Sequence, residues 1–595
     1  MPARYVLGID LGTTNSVLAY SSLEGEKPKV ELLPIPQLVA PSTVESKTGL
    51  ASFLYLATEQ ETRGNAYDVP GQTGRDFAVG EVARRQSAEL PHRTISQAKS
   101  WLCHNRVDRH HKILPWNAPA DVPKISPVTA SKRYLEHLVS VWEQAHPDAP
   151  VAEQLVVLTV PASFDASARE LTREAALAAG LPDTLILLEE PQAAVYAWLQ
   201  QMGDRWRKTL KVGDRLLVCD VGGGTTDFTL VGVTSEKGDL ILERMAVGNH
   251  LLVGGDNMDL ALAHHVAGLF AKKNVNLDPW QSVSLWHSCR AAKEALLVAD
   301  APKTHTISVL GRGSKLIGGT VSVDVDGKSV AELLLNGFLP KCPLTAKPMK
   351  QRVSGFQEIG LPYESDTAVT KHLAAFLQAH GDASGPVRPT HLLLNGGVFK
   401  SDALTARLRE ALTEWFGKDA APKPLEGIPD LDHSVAKGAA AYGWAKNRGG
   451  VRIRGGTAAS YYVGIETSGL AIPGAPRPLR ALCVVPLGME EGTEADVPSQ
   501  EIGLVVGEPA TFRFFRSAVN KEDKPGTLLP SCDALEETDP MTATLPTDEG
   551  IEEGYVPVKF QSKITELGLL ELWCVSTRTS GRWKLEFSVR EDAEA

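Results

Sequence analysis

The chain carries one short construction twice. The first copy is Ile9-Asp10-Leu11-Gly12-Thr13-Thr14-Asn15-Ser16, entered by Tyr5-Val6-Leu7. The second is Cys219-Asp220-Val221-Gly222-Gly223-Gly224-Thr225-Thr226-Asp227, entered by Leu216-Leu217-Val218. Asp10 and Asp220 stand 210 positions apart. Each copy reads as an apolar strand, an Asp at its end, a glycine-rich turn with hydroxyls, and a second strand. Glycine lets the backbone approach an anion closely, and the exposed N–H groups of such a turn cradle it. A carboxylate cannot hold phosphate, but it can hold the water shell of magnesium. Two such hairpins facing each other would grip a polyphosphate and its metal from both sides. One Asp-x-Gly turn alone reads equally well as an ordinary hairpin; the repetition in the same order points to a nucleotide.

The elements that must position these turns alternate between strands and helices. Residues 1–20 read as a hairpin, and 42–95 as longer and irregular, with turn chemistry at Thr62-Arg63-Gly64-Asn65 and Pro70-Gly71-Gln72-Thr73-Gly74. Ile95, Ala98, Trp101 and Leu102 fall on one helical stripe, which predicts a helix over 94–103. An amphipathic helix is expected over 131–144, a buried strand over 155–160, an alanine-rich helix over 167–179 and a strand over 185–188. Pro191 then opens a helix, where its missing N–H costs nothing. Long helices are expected over 258–273 and 279–299, a strand over 390–395 and a closing helix over 435–445. This alternation is α/β layering. At 448–456 a basic, glycine-rich stretch reads as a linker, and beyond it the pattern is β, with a hairpin around Thr577-Arg578-Thr579-Ser580-Gly581.

Composition narrows the setting. A length of 595 residues allows about four units of ~150 residues. The formal net charge of −11 argues against a nucleic-acid backbone as main partner. Seven scattered cysteines without a Cys-x-x-Cys pair suit a reducing, cytoplasmic setting. The fifteen histidines show no metal spacing. No cationic leader and no membrane-length apolar run is read from the sequence, so no membrane partner is expected.

The runs Gly8 to Ser16 and Asp220 to Asp227 resemble the two phosphate loops of the actin/hexokinase/heat-shock ATPase superfamily. Within it, the chain is most similar to the DnaK-type seventy-kilodalton heat-shock chaperones. Val160-Pro161-Ala162-Ser163-Phe164, Ala179-Gly180-Leu181, Glu189-Glu190-Pro191-Gln192-Ala193-Ala194, Gly254-Gly255-Asp256-Asn257-Met258-Asp259 and Leu393-Leu394-Asn395-Gly396-Gly397 follow in the family's order. The resemblance covers roughly residues 4–447. It implies an α/β, two-lobed actin-like ATPase domain with duplicated ribonuclease-H-like cores over 1–447, its irregular subdomain at 42–115. A linker at 448–456 and a smaller β-rich domain at 457–595 would follow. Tyr461-Tyr462-Val463-Gly464-Ile465-Glu466-Thr467 is similar to the opening of the family's peptide-binding sandwich. No long lid helix or recruitment tail is read after it, so the region reads either as a lidless peptide-binding module or as a plain accessory β domain.

The resemblance also implies roles. Gly12, Thr13, Thr14 and Asn15 match the first phosphate loop, and Gly222, Gly223, Gly224 and Thr225 the second. Asp10 and Asp220 match the carboxylates that hold hydrated Mg2+, Asp227 an acid near the attacking water, and Glu190 the carboxylate that organises metal-bound water. Lys99 stands at the position of the catalytic lysine. Gly254, Gly255, Lys293, Gly396, Gly397, Lys400 and Asp432 fall on the nucleotide side. Pro161 and Arg169 match the pair that links nucleotide state to the peptide domain.

The base pocket departs from the pattern. Arg290 stands where an acid is usual, Glu294 replaces a cation, Leu297 replaces a serine, and Val398-Phe399-Lys400 stands for a serine–threonine–arginine run. The family's acidic, leucine-rich linker is replaced by the basic glycine stretch. The implied function is that of an atypical chaperone ATPase. ATP/ADP and Mg2+ would be its cofactors, hydrolysis would be slow, and its partners would be unfolded polypeptide or a dedicated protein, with a possible co-chaperone. A nucleotide-gated scaffold with negligible turnover and a small-molecule kinase of the same superfamily are the alternatives.

Overall fold

The computed structural model describes residues 3–69, 72–116, 118–236, 239–298, 300–310, 320–349, 361, 363–426, 430–451, 453–466, 478–505, 508–544, 555–565 and 567–587. It is a mixed α/β structure, and two six-stranded sheets organise it up to residue 454. In the first, Tyr5–Leu11 pairs antiparallel with Asn15–Ser22 and parallel with Leu155–Val160, which in turn pairs parallel with Ile186–Glu189. In the second, Arg215–Val221 pairs antiparallel with Thr226–Glu236 and parallel with His391–Asn395. The hairpin-plus-parallel-strand arrangement is the same in both. Each hairpin therefore delivers its Asp and its turn at the same end of its sheet.

The core between the sheets explains how closely they approach. Val6, Val157 and Leu188 of the first sheet share one apolar cluster with Leu216, Val218 and Leu393 of the second. Helices Glu190–Met202 and Ser434–Arg448 fill the space between them. Their crossing depends on small residues. A Cβ on Gly438 would lie 1.7 Å from the carbonyl oxygen of Ala193, so the two helix backbones touch there. On the outer face of the first sheet, helices Pro127–Ala145 and Ala166–Ala178 bury Leu135, Leu138, Trp142, Leu171 and Ala175 against Leu7, Ile9, Val156 and Leu158. Helices Gly255–Lys272, Pro279–Leu296, Val369–Ala379 and Asp402–Phe416 cover the second sheet in the same way.

Three segments differ from the sequence expectation. The stretch 94–103 is not one helix. Thr94–Ser96 is a strand paired with Phe53–Leu56, Gln97 takes the left-handed conformation (φ 58°), and only Ala98–Trp101 is helical. Ile95 points inward from the strand and Trp101 from the helical turn, so both join the same core at a helix-like spacing. The region 42–95 is more regular than expected: it holds a three-stranded sheet (Phe77–Val79, Phe53–Leu56, Thr94–Ser96) and helix Glu81–Glu89. Pro70 and Gly71 lie outside the described residues. Finally, the glycine-rich stretch after the closing helix is docked: Ile453–Arg454 adds to the second sheet beside Leu242 and Glu243. Arg452 lies outside the described residues.

From residue 460 onward the described elements are strands. A five-stranded sheet contains Ser460–Glu466, Leu479–Val485 and Phe514–Ser517; a seven-stranded one contains Pro509–Phe512, Met541–Thr544, Tyr555–Ile564, Leu570–Ser576 and Arg582–Phe587. They share a core of Tyr461, Val463, Val484, Phe514, Val558, Phe560 and Leu572, which also takes in Ala166 from the first part of the chain. Thr467 lies outside the described residues. No helix among the described residues is long and apolar enough to cross a membrane.

Candidate nucleotide site

Each strand-end Asp is held by the same local device. Asp10 lies opposite Thr159 on the parallel strand, and the Thr159 hydroxyl donates to Asp10 Oδ1 at 3.1 Å. Asp220 lies opposite Asn395, whose Nδ2 donates to Asp220 Oδ2 at 2.7 Å. Ser434 Oγ donates in turn to Asn395 Oδ1 at 2.6 Å, which fixes the amide's orientation. The carboxylates thus present one oxygen to a structural donor and keep the other for the cleft.

The two turns meet directly. A Cβ on Gly223 would lie 2.0 Å from Thr14 Oγ1, and one on Gly224 would lie 2.7 Å from Thr13 Cγ2. A triphosphate between them requires the turns to part. The second turn is propped from behind: the Gly255 N–H donates to the Gly222 carbonyl at 3.0 Å, and the Asp256 N–H to the Gly223 carbonyl at 2.7 Å. The first is braced by Ser52, whose N–H donates to the Thr14 carbonyl (2.8 Å) and whose hydroxyl donates to the Gly12 carbonyl (2.7 Å). Asn15 opens the strand that pairs with Leu50–Ala51.

Lys99 and Glu190 form an ion pair in the cleft between these carboxylates. Lys99 is 7% exposed. Burial works against its charge, but Glu190, Asp10 and Asp227 hold it protonated, with its pKa raised. Burial raises the pKa of Glu190; the Lys99 ammonium opposes this, while the Asp10 and Asp220 charges add to it. Burial also pushes Asp220 up to about 7, against the Asn395 hydrogen bond and with the help of Asp227 and Asp10. Asp10 is raised by burial as well, with Lys99 opposing. Asp227 accepts a hydrogen bond from Ser163 Oγ, which lies 2.8 Å from His250 Nδ1. Burial disfavours a charge on His250, yet Cys103 and Asp227 outweigh it and lift its pKa to about 10.

The donor set fits magnesium and phosphate. Four carboxylates (Asp10, Glu190, Asp220, Asp227) crowd one ammonium and one imidazolium, so the cleft holds surplus negative charge that a divalent cation relieves. Thr14 Oγ1, at the tip of the first turn, is buried without a hydrogen-bond partner. Among the described residues no group of three or more His, Cys, Asp or Glu could ligate a metal directly.

The remaining sequence candidates divide. Gly254 and Gly255 open the helix behind the second turn, and Lys293 Nζ reaches the Gly255 carbonyl (2.9 Å) and Asp259 Oδ1 (2.6 Å). Arg290 pairs with both Asp256 and Asp259, so this departure from the family pattern joins Lys293 in one ionic network. Gly396 (φ +87°) abuts Asp220: a Cβ there would lie 2.7 Å from Asp220 Oδ1 and 2.3 Å from the Val221 carbonyl. Gly397 follows it in open space. Lys400 and Asp432 pair with each other at the surface, about half exposed, and join neither turn. Arg169 Nη2 donates to Glu189 Oε1 at 2.9 Å, and Pro161 is buried at the end of its strand.

Several site residues had no role assigned from the sequence. Thr159 reads only as the polar end of an apolar strand, and Asn395 and Ser163 lie in segments that follow the family's order without a role of their own. Ser163 and His250 meet across 87 positions. Arg244, which also pairs with Glu189 and donates to the carbonyls of Gly455 and Gly456, had no distinguishing context.

Paired turns, two strand-end carboxylates and a lysine–glutamate pair are brought together in one cleft, an arrangement that suits a polyphosphate and its metal. Residues 69–314 match the family described as Hsp70 protein, a span that includes Lys99, Glu190, Asp220, Asp227, the whole second turn and Lys293. Over that span the match supports an Hsp70-type protein of the actin-like ATPase superfamily, a family of chaperone ATPases.

Proposed function

We propose that the protein binds ATP with Mg2+ between the two turns and hydrolyses it slowly, and that nucleotide state alters the binding of unfolded polypeptide or a dedicated partner. The observation that carries this reading is the Lys99–Glu190 pair set among Asp10, Asp220 and Asp227 at the meeting point of the turns. Asp10 and Asp220 would hold the hydrated metal, which supplies charge neutralisation at the phosphates. Gly12–Asn15 and Gly222–Thr225 would cradle the phosphates through backbone N–H groups. Lys99 would leave Glu190 for the developing phosphoryl charge, and Glu190 and Asp227 would then orient the attacking water. Phosphoryl transfer needs little from a protein beyond such positioning. Lys293, with Gly254, Gly255, Gly396 and Gly397, would line the nucleoside side, where the Arg290 network alters base contacts. Lys400 and Asp432 would form its outer edge.

In this reading residues 1–447 form the ATPase, with two lobes built on the two sheets. Residues 448–456 dock the connection, and 457–595, whose described elements are strands, form a binding module in a cytoplasmic protein. Coupling would run through Pro161 and Arg169 to Glu189, then through Arg244 to Gly455 and Gly456. The test is single-turnover hydrolysis by the full chain and by Lys99→Ala. Nucleotide affinity is expected to hold within a few-fold while the rate falls by about 10²-fold. An unchanged rate would remove Lys99 from the chemistry. No binding of labelled unfolded polypeptide in either nucleotide state would remove the chaperone role.

A further inference from the structure

Lys99 sits on a helix of only four residues, Ala98–Trp101. So short a helix does not hold its own shape in water; its placement depends on what grips its ends. The carbonyl of Leu102, the residue that closes the helix, accepts a hydrogen bond from Arg109 Nη1 at 3.2 Å. Arg109 is fully buried (0% exposed), in a stretch with no regular secondary structure. Its Nη2 donates to Ser167 Oγ at 3.0 Å and to Asp539 Oδ2 at 2.6 Å. Asp539 is itself 1% exposed and lies between the strands Glu536–Glu537 and Met541–Thr544, where the chain passes from one C-terminal sheet to the other. One guanidinium therefore ties the end of the catalytic-lysine helix, the start of helix Ala166–Ala178 and the junction of the C-terminal sheets. A second contact lies alongside: Arg516 Nη1 donates to the Ser163 carbonyl at 2.9 Å, and the Ser163 hydroxyl holds Asp227.

We propose that Arg109 is a positioning residue for Lys99, and that the C-terminal sheets, through Asp539, help to seat that ammonium in the site. A planar fork reaches a carbonyl and a carboxylate in fixed directions, which the point charge of a lysine does not. Losing the fork frees the last carbonyl of a one-turn helix and lets the Lys99 backbone shift. A displacement near 1 Å is enough to slow a positioned step about 10²-fold. The route is distinct from the Arg169–Glu189–Arg244 chain, which approaches the cleft from the Glu190 side. The catalytic part rests on the ATPase reading given above.

The test uses the full chain with Arg109→Lys and with the milder Asp539→Asn. An exposed pair in the same sheets, Arg513–Glu537, provides the control Arg513→Lys. ATP turnover is expected to fall about tenfold in Arg109→Lys and less in Asp539→Asn, with KM for ATP within twofold in both. Backbone amides over 98–104 are expected to exchange faster in both and to stay at the parent rate in Arg513→Lys. Parent-like turnover in Arg109→Lys together with faster exchange over 98–104 would overturn the catalytic role. Unchanged exchange in both variants would overturn the support itself. If the parent hydrolyses no ATP, the ATPase reading fails, and the exchange measurement still decides whether Arg109 holds the Lys99 segment.

Discussion

Replacing Asp220 with Asn separates the cost of the site from its use. Asp220 is pushed up to about 7 by burial and by the Asp227 and Asp10 charges, from an ordinary value of 3.8. Each unit is worth about 1.4 kcal/mol, so ionised Asp220 carries a penalty of a few kcal/mol in the folded chain. The sign follows from proton counts. Between pH 4 and 7 the folded state binds more protons at this residue than the unfolded state, so stability falls as pH rises through that window. Above pH 7 the penalty is fully present. Asn fits the same space, and its amide oxygen accepts from Asn395 as the carboxylate does. At pH 8 without nucleotide, Asp220→Asn is therefore expected to melt a few °C above the parent, on the order of 2–4 °C for each kcal/mol relieved in a unit of this size. At pH 4 the two should melt together. With Mg2+ and ADP at pH 8 the order should reverse, because the parent gains the metal and the variant does not. Thermal melting at the two pH values, with and without Mg2+-ADP, checks all three statements. A variant less stable than the parent at pH 8 without nucleotide, or one that keeps the full Mg2+-dependent gain, would refute the assignment.

Three further outcomes follow from the same geometry. Glu189→Gln removes the charge that holds both Arg169 and Arg244; the ATP/ADP difference in affinity for labelled unfolded polypeptide, expected at about 1 kcal/mol in the parent, should vanish, and a preserved difference argues against this route. Gly223→Ala places a methyl 2.0 Å from Thr14 Oγ1; the nucleotide-free protein should lose about 1–3 kcal/mol of stability in denaturant titrations and recover it in part with Thr14→Gly, whereas parent stability in the single variant would mean that the empty turns do not meet. His137 is lowered to about 4 by burial and by the nearby Arg75 charge, so it stays neutral in the fold while the unfolded chain takes up a proton below its ordinary value of 6.5. Stability should consequently fall by about 1 kcal/mol per pH unit from 6.5 toward 4 on its account, and His137→Gln should flatten that slope in denaturant titrations; an unchanged slope would refute it.

What could be read from the sequence is what is local along the chain. Asp10 and Asp220, their glycine turns and the flanking strands are legible because strand, turn and strand are consecutive. Thr159 and Asn395 are not, because they reach the carboxylates from parallel strands 149 and 175 positions away. The helix expected over 94–103 illustrates a different limit. A strand residue and a helix residue on either side of left-handed Gln97 both face the core, so their spacing imitates one helix. Glycine in 448–456 reads as flexibility by composition, yet a Cβ on Gly456 would lie 2.2 Å from the Gly488 carbonyl, and one on Gly455 3.1 Å from Gln192 Nε2. Those glycines permit close approach, and Arg244 then pins their carbonyls. Composition cannot distinguish the two uses of glycine; contacts can.

In the proposed reading, one residue step between two adjacent glutamates separates sensing from transmission. Glu189 ends a strand, and Glu190 is the first residue of the next helix, directly before Pro191. Their side chains diverge. Glu190 meets Lys99 in the cleft, while Glu189 meets Arg169 and Arg244 on the side of the docked glycines. Burial opposes the charge on Glu189, but the two guanidiniums hold its pKa down, so it remains an anion and keeps its grip. Pro191 fixes its own φ at the head of the helix, which leaves little slack between the pair and the helix that follows. A pull on Glu190, such as the departure of Lys99 toward phosphate, therefore acts on a backbone shared with Glu189. The response has few outlets. The strand is buried, and the helix is locked against Ser434–Arg448 at Gly438. The guanidiniums of Arg169 and Arg244, which line a cleft together with Tyr461, Ile564 and Leu570 of the C-terminal sheets, are the partners left to move.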